Sequence, residues 1–160
     1  MAEWHDFFVA EVGASAALVG LIAVGLSISL SELIRFPHLL LRAAGSLVLL
    51  LAVLVTSTML LAPGQTVHTA GIELVLAGAV AWIVTTALGF RGLRSVPLPY
   101  RENQWMAIGM RQVATIPVVV AGVAALARGA GGLYWLVPGF VAAYVVALFD
   151  AWVILVEVHR

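Results

Sequence analysis

The sequence predicts an all-α polytopic membrane bundle of five transmembrane helices, and three observations predict it. Hydrophobic residues make up 63% of the chain and charged residues 10%, with a mean hydropathy of +1.11, whereas soluble domains run at about 45–50% apolar and about 25% charged. The apolar residues gather in runs long enough, at about 1.5 Å per helical residue, to cross a hydrocarbon core of about 30 Å. The breaks between the runs hold most of the prolines and most of the arginines. No segment of the 160 residues is both polar enough and long enough to fold as a separate soluble unit, so the chain reads as a single transmembrane domain.

The first predicted span covers residues 7–30. The residues before it carry acids and no arginine, unlike the basic start of a cleavable signal, so the run is expected to be retained. Ser29 and Glu32 have capping-box spacing and Pro37 suits a first helical turn, which makes residues 30–36 an interfacial turn, with Arg35 and Arg42 marking the aqueous side. The second span, residues 43–61, ends in Thr56, Ser57 and Thr58, hydroxyls expected to bond back to carbonyls four residues earlier. Thr69 is expected to cap the third span, residues 72–90, with Glu73 in its first turn and Trp82 as a packing residue near mid-span. A basic loop with a turn at Pro97 and Pro99 follows. The fourth span, residues 105–127, begins at an aromatic anchor of Tyr100 and Trp105 and contains Pro117, where a kink is expected. The fifth, residues 133–156, follows the tight turn at Arg128. The main alternative is four spans plus a re-entrant fourth segment.

Arginine placement orients this arrangement. Seven of the eight arginines fall on one side of the five-span order and only Arg128 on the other. The positive-inside rule then puts the N-terminus outside and the C-terminus in the cytoplasm, across a plasma (inner) membrane. The net charge is zero and all basic residues are arginine, which leaves no case for nucleic-acid binding. Cysteine is absent, which excludes disulfides and thiolate chemistry.

Few groups are placed to carry chemistry. Arg111 lies about as far before the turn between spans four and five as Asp150 lies after it, so an antiparallel hairpin sets the two at equal depth. An isolated charge in mid-membrane costs about 2.5–3.5 kcal/mol on insertion scales, so a partner there is expected. The pair reads as a structural ion pair or, in the functional alternative, as a gate or proton relay. In span one, Gly13, Ala16, Ala17, Gly20, Ala23 and Ser27 share one face at about 100° per residue, a helix-packing seam for another span or a second copy. Glu11 and Ser15 lie opposite and form a candidate functional face near the outside. His5 and His68 with a carboxylate lack the paired spacing of a metal site, so no metal is expected. No catalytic motif and no cofactor motif is present, and the chain is read as a non-enzyme.

In Trp4, Phe7, Phe8 and the stretch Gly13-Ala-Ser-Ala-Ala-Leu18, the N-terminus resembles small, uncharacterised bacterial multi-span proteins of about this length. That resemblance implies a membrane bundle and no activity. The function expected is an accessory or assembly role, with the bilayer and either a second copy or another membrane protein as partner. The alternative is a small oligomeric channel or transporter using Glu11 or the Arg111 and Asp150 pair.

Overall fold

The computed structural model describes residues 2–95 and 101–158, and the described elements are helices and short turns. A 3-10 turn at Ala2–Trp4 leads into α1 (His5–Ile28), followed by the single-turn α2 (Leu30–Leu33), α3 (Pro37–Leu60), α4 (Val67–Ser95) and α5 (Arg101–Arg128). A 3-10 segment, Gly129–Trp135, then turns the chain into α6 (Leu136–Val158). The turn predicted at Pro97 and Pro99, the Tyr100 anchor, the Glu32 side chain and Arg160 lie outside the described residues.

Four stretches are long and apolar enough to cross a membrane: His5–Ile28, Pro37–Leu60, Val67–Arg94 and Gln104–Val156. The last spans 53 residues and bends back on itself at the 3-10 segment, so α5 and α6 pack as an antiparallel hairpin. By length and composition it counts as one stretch, and five separate crossings are not shown. The re-entrant alternative is not supported, because α5 is continuous helix through Pro117. In a bilayer such helices satisfy every backbone hydrogen bond within the segment, which is why apolar runs of this length fold this way.

The helix boundaries correct several expectations. Pro37 takes the first turn of α3, where its missing N–H is no loss, so Arg42 lies inside the helix and not ahead of it. The chain turns between α1 and α3 through its backbone, with the Ser29 N–H on Gly25 O at 3.3 Å and the Leu33 N–H on Ser29 O at 3.0 Å. α4 starts at Val67, five residues before the expected Ile72. The cap is a reciprocal one: the Thr69 N–H donates to Thr66 Oγ1 at 3.1 Å, and the Thr66 N–H donates to Thr69 Oγ1 at 3.0 Å. Thr69 is therefore the third helical residue and Thr66 the cap. Gln65 closes the same turn by donating to Met59 O at 3.0 Å and to Glu73 Oε2 at 2.6 Å, which gives Glu73 a structural partner.

Packing follows small residues. α4 and α5 form the most extensive helix pair, and there a Cβ on Gly122 would stand 2.7 Å from Val75 N and 2.8 Å from Gly71 O. The two backbones thus approach as closely as small-residue membrane seams allow. At the turn between α5 and α6, Gly129 adopts a φ of 76°, and a side chain on Gly132 would overlap the backbone of Ala124 and Ala125. The main core joins Phe8 of α1, Leu49 and Val53 of α3, Leu74 of α4, Ala121 of α5 and Phe140 of α6.

α1 is attached by a narrow stripe. Its buried residues are Phe8, Ser15 and Ile22, one every seven positions, as in a heptad seam. Its start is pinned by aromatic contacts: Trp4 meets Tyr134 edge-on at 4.9 Å between ring centroids, and Phe7 stacks on Phe140 at 6.1 Å. These contacts are of the type worth about 0.5–1.5 kcal/mol each beyond burial. Leu18, Val19 and Leu26 flank that stripe half-buried, while Leu21, Val24 and Ile28 are exposed.

Candidate functional site

The arginine-rich end of the bundle encloses a buried polar cluster built on Asp150 of α6. Arg42 Nε donates to Asp150 Oδ1 at 2.6 Å, and Arg111 Nη2 donates to Asp150 Oδ2 at 3.0 Å. Ser46 Oγ donates to the same Oδ2 at 2.8 Å. Arg111 Nη2 also donates to the Arg42 carbonyl at 3.2 Å, tying one arginine to the backbone beneath the other. One carboxylate therefore links α3, α5 and α6. Arg111 and Asp150 are 1% and 2% exposed and Arg42 is 9% exposed, so the cluster is buried with Arg42 as its outermost member.

Local sequence explains each position. Arg42 and Ser46 are four apart and share a face of α3. Gly45 between them has no side chain, and a Cβ there would lie 2.7 Å from Arg111 Cζ; the guanidinium lies flat against that bare backbone. Thr115, one turn after Arg111, donates back to the Arg111 carbonyl at 2.9 Å. Two guanidinium groups face one carboxylate, leaving a formal excess of one positive charge. Arg111 Nε and Nη1 are buried with no hydrogen-bond partner among the described residues.

Arg42 and Ser46 escaped the sequence reading, which used Arg42 only as a marker of the aqueous side. The usable signal was Pro37: a helix starting there carries Arg42 more than one turn inward, about 7–8 Å. What remained invisible was that α3 packs beside α6.

On α1 the candidate residues divide by face. Ser15 is fully buried, and its hydroxyl donates to Glu11 O at 2.6 Å, within its own helix. The Glu11 carboxylate receives a short hydrogen bond from the Tyr144 hydroxyl of α6, so this half-buried acid is an α1–α6 link. Gly13, Ala16, Ala17, Gly20, Ala23 and Ser27 all point outward, and a Cβ built on Gly13 or Gly20 meets nothing within 4 Å. The small-residue face is thus not a seam to another helix of this chain. The glycine seam within the chain lies between α4 and α5.

The remaining groups are accounted for locally. Thr56 and Thr58 bond back to Ala52 O and Leu54 O at 2.6 and 2.8 Å, while Ser57 Oγ is buried without a partner among the described residues. Trp82 is 42% exposed and is not a packing residue; its indole N–H donates to Gln112 Oε1, and Gln112 in turn donates to Thr86 Oγ1 at 3.0 Å. Trp105 meets Phe90 edge-on at 5.9 Å at the arginine-rich end. His5 and His68 are exposed, and no three His, Asp or Glu side chains converge among the described residues. Neither family models, nor curated proteins, nor solved structures include a match to this chain.

Proposed function

We propose that the protein is a non-enzymatic integral membrane protein that acts in assembly, associating with a second copy of itself through the outward face of α1. The observation that carries this reading is the division of α1. One stripe, Phe8, Ser15 and Ile22, is buried against the bundle, while the whole small-residue face is exposed and unobstructed. Small residues at four-residue spacing let two helices approach closely in lipid, where packing and not hydrophobicity drives association. The same reading takes α5 and α6 as separate crossings, giving five spans in an inner membrane with the N-terminus outside. It also takes the chain as kin to small bacterial multi-span proteins.

The alternative, a small oligomeric channel or transporter, would need Glu11 or the Arg111 and Asp150 pair to face a water path. Asp150 instead has both oxygens engaged by Arg42, Ser46 and Arg111, and Glu11 is met by Tyr144. Those contacts favour structural roles.

The chain has no cysteine, so a single Ala17→Cys substitution reports on α1 alone. In native membranes, oxidation is expected to yield a disulfide-linked dimer that disappears when Gly13→Ile and Gly20→Ile are added. Liposomes holding the purified protein are expected to stay impermeable to ions. A product of the Ala17→Cys variant that stays monomeric, together with ion flux lost on Glu11→Gln, would replace assembly by transport.

A further inference from the structure

Beyond the Glu11–Tyr144 contact, a lateral groove lies between the second half of α1 and α6. Gly25 and Ile28 of α1 form one wall, Ala151 and Leu155 of α6 the other, and Ala43 and Ser46 of α3 the floor. The groove has a volume of about 390 Å³ and is lined almost wholly by hydrocarbon. It extends along α1 from Leu21 to Ser29, roughly 12 Å at the helical rise. Its length and its hydrocarbon lining suit an extended acyl chain.

The floor carries the selectivity. Ala43 follows Arg42 directly, and Ser46 is one of the donors to Asp150, so the groove lies against a cluster with one positive charge in excess among the described residues. The Arg42 side chain is the part of that cluster reaching the surface, at 11% exposure, whereas Arg111 keeps two buried N–H groups without an acceptor among the described residues. An apolar slot ending beside excess positive charge near a bilayer surface is complementary to a lipid with an anionic head.

We propose that this groove binds one acyl chain of an anionic phospholipid, whose phosphodiester group sits at the Arg42 edge of the cluster. The test separates the proposal from self-association through α1, because Gly25 lies about 120° and about 140° round the helix from Gly13 and Gly20 at about 100° per residue.

The test is native mass spectrometry of the purified full-length chain exchanged into equal amounts of phosphatidylglycerol and phosphatidylcholine. About fivefold preferential retention of one phosphatidylglycerol per chain is expected, the scale of one arginine acting near an anionic lipid surface. Gly25→Phe should abolish that retention, since Gly25 lines the groove and a Cβ there meets nothing within 4 Å. Leu155→Trp narrows the groove from the opposite wall and should weaken retention too, which keeps the test informative if one variant folds poorly. Equal retention of the two lipids would overturn the proposal. Undiminished phosphatidylglycerol retention in both folded variants would do the same, and so would a change in dimer cross-linking with lipid retention unaltered.

Discussion

Asp150 is the residue on which the arginine-rich half of the bundle depends. Removing one partner from a buried ion pair leaves an uncompensated charge at a cost of about 3–5 kcal/mol, and here two arginines would be stranded. Asp150→Asn keeps the side-chain shape and should lower stability by about that amount, measured by denaturant unfolding in detergent micelles. The charge swap Arg111→Asp with Asp150→Arg should recover little of the loss, because it would set a second guanidinium against Arg42, whose Nε lies 2.6 Å from the Asp150 carboxylate. Recovery close to the parent chain would mean that Arg42 contributes nothing to the cluster. Arg111 and Asp150 could be read from the sequence as neighbours because they flank a single tight turn, which sets their depths by counting. Arg42 could not, since its approach to Asp150 crosses 108 positions of chain and depends on which helices adjoin.

At the scale of the element, α1 and the α4–α5 pair use small residues in opposite ways. Gly13→Ile and Gly20→Ile should leave the fold intact to within about 0.5 kcal/mol, as surface changes do, while abolishing the cross-linked dimer. Gly122→Val should instead cost about 1–3 kcal/mol or more in thermal unfolding, as expected when a methyl group is forced into a filled interface. Both helices look alike in composition, rich in Gly and Ala. Periodicity divides α1 into two faces but does not say which is turned inward. The choice follows from the bulky partners on the other side of the heptad stripe: Phe8 enters the aromatic cluster with Trp4 and Phe7, and Ile22 packs with Leu50 and Ala147. The small face offers a close approach, but no helix of this chain takes it.

For the whole molecule, the five-crossing arrangement predicts that the ends of the helices alternate between two aqueous sides. The absence of cysteine makes this directly measurable. A cysteine introduced in place of Gln65, in the turn between α3 and α4, should be labelled by an impermeant maleimide in intact cells, and one in place of Arg94 only after the membrane is opened. Labelling of both from outside would break the proposed orientation. The sequence by itself determined that the described chain is helical, that its helices are long and apolar enough for a membrane, and that its arginines collect toward one end. These are local properties: hydropathy is summed along a run, and in lipid an unpaired backbone leaves helix as the available answer. Only the tertiary structure decided that the small face of α1 points away from the bundle, that Gly71 and Gly122 supply a close seam between α4 and α5, and that Arg42 and Ser46 join Arg111 on Asp150. Those outcomes rest on contacts between residues far apart in the chain, and helical periodicity within one segment carries no information about which neighbour will lie against it.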